Sequence, residues 1–467
     1  MPVTFGTPGE WLVLVEHELL LFAGVFFLIG ALDEFAVDLI WLAQRASGRA
    51  RTMRLSDADT APSPLAGEAA VFIAAWREAS VIGATVRHAL AAWPHADVRL
   101  YVGTYRNDPL TAEAVIAAAD HDPRLRLVIH DCDGPSTKAD CLNRLYRALE
   151  ADEKRTGRRA RMVVMHDAED MVDPAALGLL DQAIGSVDLA QIPVLPEPLP
   201  QSRWVASHYC EEFAEAHGKA MVVRDALGAG IPTAGVGCAI ARGILLELAA
   251  RRGRDGPFAA ECLTEDYELG LGVAALGGRS KFLRFRHPDG RLVATRACFP
   301  ADIGSAVRQK TRWIHGIALQ SWDRLGWSSQ PADLWMRLRD RRGPLTALVL
   351  AVAYFLILIA SVGWLAHYAG YAPSLPVTPA ITALIAANTL SFVWRGAWRF
   401  AFTAREYGWV EGVRAVIRIP LANAITILAG RRAFVDYLRT LRGDAPRWDK
   451  TRHMVHPALG ERHGART

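Results

Sequence analysis

The stretch "RMVVMHDAED", residues 161–170, decides how the chain is read. Met162–Met165 is a short apolar run without polar alternation, which reads as a β-strand buried on both faces. It runs straight into Asp167, Glu169 and Asp170, three carboxylates within four residues. Strands buried on both faces belong to mainly parallel sheets covered by helices, where ligands sit beyond the C-terminal strand ends.

Upstream, the same unit recurs. "AAVFIAAW" reads as a strand followed by the helix "SVIGATVRHALAAW". "VRLYVGTY" precedes the helix "LTAEAVIAAAD", and "LRLVIHD" precedes "TKADCLNRLYRALEA". Strand–helix alternation predicts an α/β domain. Its geometry places Glu78, Asp108, Asp131 and Asp167 at one edge of the sheet. No G-x-G-x-x-G follows the first strand and no G-x-x-x-x-G-K-[ST] occurs, which disfavours a dehydrogenase-type dinucleotide site and excludes a P-loop.

Four segments could carry chemistry. The acids of "MHDAED" would repel one another unless a cation lay among them, and hard oxygen ligands suit Mg²⁺ or Mn²⁺. The bland alternative is a solvated turn in which Asp170 or Asp173 caps the helix at "PAALGLL". In "TEDYELG", 264–270, Glu265, Asp266 and Glu268 open a helical pattern; acids are common there, but an Asp at a site edge can act as a general base. In "RQKTRWIHG", 308–316, Gln309, Arg312 and Trp313 share one helix face. Arg can grip a phosphate and Trp can stack a sugar ring, although an interfacial helix would look similar. In "GPSTKADCLN", 134–143, Lys138 sits at a strand-to-helix turn within reach of a phosphate, or is a surface lysine.

The flanks are apolar. Of 467 residues, 51% are hydrophobic and 22% charged, and the apolar excess lies near the N-terminus and after Gly343. "LLLFAGVFFLIGAL", 19–32, extends to Trp41 as a span that contains Asp33, Glu34 and Asp38, acids expected to face protein. "PLTALVLAVAYFLILIASVGWLAHY", 344–368, is a clear span and "TPAITALIAANTLSFVW", 378–394, a further one. Arginines cluster after the first span, before the second and after the third. The positive-inside rule therefore puts the middle and the tail in the cytoplasm. "IRIPLANAITILAG", 417–430, reads as interfacial or re-entrant, since a full span would export the basic tail. The N-terminus lacks a basic n-region and a cleavage site, so no cleaved signal is expected. Six cysteines without a C-x-x-C pair argue for free thiols rather than zinc, and a net charge of +4 argues against nucleic acid.

In order, AWRE, GPSTKADCLN, DAED, TED and QKTRW, on an α/β sheet followed by membrane helices, resemble the processive, membrane-integrated glycosyltransferase family 2. This is the cellulose- and hyaluronan-synthase-like group, and the resemblance covers residues 65–450. "WDKTRH", 448–453, looks like the cytosolic W-x-K-T-x-H segment of some members. The acidic first span, "HDAED" and "VGTYRNDP" look closest to the inner-membrane phage-adsorption protein B subgroup. The chain ends soon after WDKTRH, so a further C-terminal domain of that subgroup is expected to be absent.

The resemblance implies a GT-A (Rossmann-like) cytosolic domain over 65–325 and an N-terminal transmembrane helix over 1–45. About two C-terminal transmembrane helices and an interfacial helix would follow over 326–435, with a cytosolic tail over 436–467. It implies an inverting hexosyltransferase that extends a glycan at the bacterial inner membrane for exopolysaccharide synthesis and export. Its donor would be a nucleotide-diphosphate sugar, most readily a UDP-sugar. The acceptor would be a glycan or lipid-linked, and an outer-membrane export partner would take the product. Residue by residue, Asp266 becomes the general base, and Glu78, Asp108, Lys138, Asp167 and Arg312 bind the nucleotide-sugar. Glu265, Gln309 and Trp313 fall to the acceptor, and Asp167 with Glu169 to Mg²⁺ or Mn²⁺, with Glu169 or Asp170 open as the second ligand. Glu169 replaces the usual second Asp, and "VGTYRND" lacks the acids usual after the second strand. Those departures keep alive an inactive scaffold or phage-receptor component; a non-processive transfer to a lipid carrier is another alternative.

Overall fold

A computed structural model describes residues 8–50, 52–60, 62–253, 256–370, 377–444 and 456–457. WDKTRH therefore lies outside the described residues. The centre is a seven-stranded sheet built from β1 (Glu68–Ala74), β2 (Val98–Tyr105), β3 (Leu125–His130), β4 (Ala160–Asp167), β5 (Leu189–Gln191), β6 (Cys238–Ala241) and β7 (Ser280–Phe282), in the order β3-β2-β1-β4-β6-β5-β7. The first four strands pair in parallel, as the alternation predicts. β6 runs antiparallel to both β4 and β5. The reason is topological: the chain leaves β5 at the C-terminal edge, wanders through residues 192–237 without crossing the sheet, and must re-enter from that same edge.

β1 shows why the sheet is covered on both sides. Ala69, Val71 and Ile73 pack into one cluster with Ile82, Val86, Val115 and Leu177. Ala70 and Phe72 point the other way, against Leu142, Leu145, Leu149 and Leu245. Each face buries whole apolar side chains, worth about 1.5–3 kcal/mol per large residue.

The N-terminal helix Pro8–Ala46 and the helix Gly343–Tyr368 are long and apolar enough to cross a membrane. Outward-facing Ile357, Leu358, Trp364 and Leu365 are exposed, a surface that hydrocarbon satisfies and water does not. The acids of the first helix face protein, as expected. Asp33 accepts from Trp335 Nε1 at 2.7 Å and from Arg342 Nη1 at 2.7 Å, Glu34 accepts from Arg339 Nη2 at 2.9 Å, and the fully buried Asp38 pairs with Lys219 and accepts from Trp394 Nε1 at 2.8 Å. The expected span at 378–394 belongs to a 29-residue helix, Pro379–Tyr407, less apolar than the other two, with Asn388 inside that stretch and Arg395 and Arg399 beyond it. Arg395 and Arg399 reach Glu215 and Glu211 of the α/β domain, at 2.5 and 3.0 Å. Helices Trp409–Ile417 and Ile419–Leu441 meet at a 52° bend, the shape of a broken span or a re-entrant segment. All six cysteines are unpaired.

Candidate active site

Strand ends deliver most of the site. After β1, Arg77 adopts a left-handed backbone (φ 53°), and its N–H donates to Asp108 Oδ2 at 2.6 Å. Asp108 therefore braces the AWRE turn. Glu78 is buried behind it, its N–H donating to Thr111 Oγ1 at 3.0 Å. Trp76 meets Tyr105 edge-on at 5.1 Å, and Tyr105 stacks on His130 at 5.0 Å, which lines this end of the sheet with aromatic rings. Asp131 follows His130 on the same edge, 3.3 Å from its Nδ1.

Lys138 opens the helix Lys138–Thr156, whose first turn is capped by Thr137 accepting from Asp140 N at 3.2 Å. Its ammonium contacts Asp167 Oδ1 and lies 3.8 Å from Glu265 Oε1. Burial alone would lower the Lys138 pKa; the carboxylates of Asp167, Glu265 and Asp266 override it and hold the amine above the ordinary lysine value.

The turn after β4 disposes its acids differently. The Asp170 carboxylate bends inward, accepting from Asp167 N at 2.8 Å and meeting His166 Nδ1 at 3.0 Å. Burial pushes the Asp170 carboxyl up and the His166 imidazole down to about 3. Asp170 thus supports the turn from behind, and the carboxylates of Asp167, which meets Lys138, and Glu169 belong to the same turn as hard oxygen donors. Helix capping falls to neither candidate in the simple form: Asp173 accepts from Ala175 N at 2.9 Å and from His287, just before the helix Ala176–Ile184. The donor set fits a divalent cation, and the Lys138 ammonium already holds a positive charge against Asp167.

A second donor set, His130, Cys132 and Asp140, fits less well. Cys132 Sγ approaches one imidazole nitrogen at 3.2 Å and Asp140 the other at 3.1 Å, so the three satisfy one another by hydrogen bonding.

Glu265 and Asp266 begin the helix Glu265–Ala275. Asp266 Oδ1 accepts from Tyr267 N at 2.8 Å, and its backbone carbonyl accepts from Thr233 Oγ1 at 2.8 Å. Burial raises the Asp266 carboxyl, against the lowering influence of Lys138 and Arg312. Burial and the neighbouring Asp266 push Glu265 up to about 7. Gly235 (φ 75°) sits against Asp266: a Cβ there would lie 2.6 Å from Oδ2. Sequence reasoning missed Gly235; two glycines in "AGVG" before a strand were its only signal.

The helix Ile303–Trp313 runs on into a wide π-helical turn, Ile314–Gln320. Gly316 packs against Thr264, locking this segment to the TED turn. Arg312 forms no salt bridge among the described residues, yet its charge lowers both Glu265 and Asp266. Gln309 is buried beside it. Trp313 is half-buried, its ring 6.0 Å from Tyr209 and 6.2 Å from Phe213, so it is part of an aromatic cluster as well as of the site rim. Lys138, Asp167, Glu265, Asp266 and Arg312 therefore converge, while Glu78 sits in the turn after β1 and Asp108, beyond the end of β2, bonds to that turn. The sequence reading also missed His456, fully buried, whose Nε2 lies 3.2 Å from the Asp170 carbonyl.

A family model for the glycosyltransferase-like family 2 matches residues 66–316, more than half of the chain. The chain belongs to that family. The chain is 30% identical over 481 residues to bacteriophage adsorption protein B of Escherichia coli K12, covering 97% of the chain and 64% of that relative. Bacteriophage N4 adsorption protein B of Escherichia coli O157:H7 matches with the same figures. The chain therefore spans about two thirds of the length of these curated relatives, at 64%. Among solved structures, the mannosyltransferase PcManGT of Pyrobaculum calidifontis, in complex with GDP-Man and Mn²⁺, superposes with a TM-score of 0.51 at 15% identity, covering 87% of this chain and 99% of that one. The likeness shows the GT-A fold of this chain.

Proposed function

We propose that this glycosyltransferase moves a hexose from a nucleotide-diphosphate sugar, a UDP-sugar first, onto a growing glycan at the cytoplasmic face of a bacterial inner membrane, with inversion at the anomeric carbon. The observation that carries the reading is Asp266. It is a carboxyl raised by burial, held against Gly235, within the influence of the Lys138 and Arg312 charges. Such a group is poised to accept a proton nearer neutrality than a free aspartate.

Asp266 takes the acceptor hydroxyl proton as that oxygen forms its bond to the anomeric carbon. The bond from that carbon to the phosphate oxygen breaks, and its electron pair leaves with the nucleoside diphosphate. Lys138 and Arg312 meet the departing charge. A divalent ion held by Asp167 and Glu169, Mg²⁺ or Mn²⁺, would supply further neutralisation. Glu78 and the Asp108-braced turn would shape the nucleotide side, while Gln309, Glu265 and Trp313 would face the acceptor. The solved mannosyltransferase with GDP-Man and Mn²⁺ supports a metal-assisted nucleotide-sugar site on this fold. The apolar helices and the arginine-rich flanks support membrane placement with the catalytic domain over residues 65–325 inside, and a separate export partner would carry the product out.

The test is nucleotide diphosphate release from a panel of nucleotide sugars, in membranes with Mg²⁺ or Mn²⁺, for wild type and Asp266→Asn. Release from one donor that disappears in the variant is expected. No release from any donor by folded protein would overturn the reading in favour of an inactive scaffold or phage-receptor component; the Escherichia coli relatives are named for bacteriophage adsorption.

A further inference from the structure

Away from the catalytic edge, a groove of about 550 Å³ runs between the helix Ile303–Trp313 and the last helix, Ile419–Leu441. One face of the last helix lines it from Leu428 to Arg439. The opposite wall is the first turns of Ile303–Trp313, with Val307 and Arg308. The lining combines aliphatic side chains, Ile303, Val307, Leu428 and Val435, with a set of arginines.

The level of this groove can be read from helix contacts. Asn423 Nδ2 lies 3.3 Å from Tyr354 Oη, and Gly430 abuts Ala347 so closely that a Cβ would fall 2.3 Å from the alanine methyl. The last helix therefore runs antiparallel to Gly343–Tyr368, and Gly430 is level with the first turn of that apolar helix. The preceding helix, Pro331–Arg341, is tied to the catalytic domain through Asp340, which accepts from Arg224 and Tyr267. Gly430 thus marks the boundary between the apolar layer and the catalytic side. Arg431 and Arg432 follow at once.

Charge is unbalanced there. Among the described residues of the lining, Arg308, Arg431 and Arg439 stand against one acid, Asp436, which Arg432 also approaches. Asp436 already serves Arg439 at 3.2 Å and Arg432 at 3.7 Å. Arg308 donates to the neutral Ser305 Oγ at 2.7 Å and lies near Asp302, whose carboxylate caps its own helix through Ser305 N. Arg431 is exposed and has no salt bridge among the described residues. Aliphatic side chains, arginines and placement at the boundary together specify an anionic amphiphile.

We propose that this groove binds an anionic phospholipid of the surrounding bilayer, its phosphate between Arg308 and Arg431 and an acyl chain along Leu428 and Val307. The inference rests on the membrane placement and is independent of the transfer chemistry. Bound lipid would couple the helix that carries Gln309, Arg312 and Trp313 to the membrane surface.

The experiment uses the full-length chain purified in an uncharged detergent, with phosphatidylglycerol retention read by native mass spectrometry. Each interfacial arginine is worth about five-fold in binding, so Arg308→Gln with Arg431→Gln should lower retention about thirty-fold. Arg442→Gln, an exposed position outside the groove lining, should leave retention unchanged, as should Arg431→Lys to within a few-fold. Thermal melting of the double variant checks that it is folded; the single variants Arg308→Gln and Arg431→Gln, each expected to lose about five-fold, carry the test if it is not. Equal retention in folded wild type and variants overturns the proposal. So does equal retention of phosphatidylcholine, which would mean that only chains are read. Displacement by inorganic phosphate would reassign the groove to a soluble anion, and displacement by a polyprenyl phosphate at far lower concentration would reassign it to a lipid carrier; both overturn the bilayer source.

Discussion

Gly235→Ala tests the placement of the base directly. The added Cβ would lie 2.6 Å from Asp266 Oδ2, against an ordinary contact of at least 3.4 Å, so something must shift by about 0.8 Å (3.4 − 2.6). The carboxylate is the softer partner, since Gly235 lies in the loop that leads into β6. A misplacement of about 1 Å at a reacting group costs about 10²-fold. The backbone adds strain of about 1–2 kcal/mol, because φ at 75° is left-handed. We therefore expect kcat to fall about 10²-fold with little change in the donor KM, together with that stability loss. Gly228→Ala separates the two effects: φ there is 67°, but nothing lies within 4 Å of the new Cβ. It should show the stability loss with kcat retained. The assay is diphosphate release across donor concentrations, paired with thermal melting. Wild-type kcat in folded Gly235→Ala, or an equal kcat loss in Gly228→Ala, would refute the geometric argument.

Other outcomes follow from the same contacts. Glu265 has its folded pKa raised to about 7 from an ordinary 4.5, so the folded state binds more protons than the unfolded between those values. Stability should therefore fall as pH rises through that window and level off above it, and Glu265→Gln should flatten the slope of melting temperature against pH. The raised Asp266 carboxyl should place the acid limb of kcat/KM above the usual carboxylate range, measured as a pH–rate profile. Chelation should abolish activity and Mn²⁺ or Mg²⁺ restore it. Asp170→Ala should demand about ten-fold more metal, while Asp170→Asn, which keeps an acceptor for Asp167 N, should demand less, as metal titrations will tell. Arg418 is fully buried between Glu211 and Glu411, so Arg418→Met should destabilise the protein by about 3–5 kcal/mol in denaturation experiments, because Glu211 is left buried with Arg399 alone.

Much of the molecule was legible without coordinates. The strand "VRLYVGTY" coincides with β2 at both ends, and "RMVVMHD" ends where β4 ends, because doubly buried strands are short apolar runs stopped by polar residues. The reversed β6 was not legible. Its four residues, Cys238–Ala241, carry no mark of direction; only the path of residues 192–237 imposes one. Asp108 shows what only the structure adds at the site: residue type and strand-end position suit ligand binding, and its Oδ2 also accepts from the Arg77 amide, a contact no local pattern announces.

The sequence by itself determined the fold class, the apolar helices, the protein-facing acids of the first one, and the short segments from which the site is assembled. These depend on periodicity, composition and local spacing, which are properties of neighbours along the chain. Tertiary structure decided how the acids are disposed. It turned Asp170 inward to His166 while leaving Asp167 against Lys138, wedged Gly235 against Asp266, brought Gly316 onto Thr264, and opened the arginine-lined groove beside Gly430. Each of these joins residues far apart in the chain, and burial and charge at such junctions come from partners that no local pattern contains.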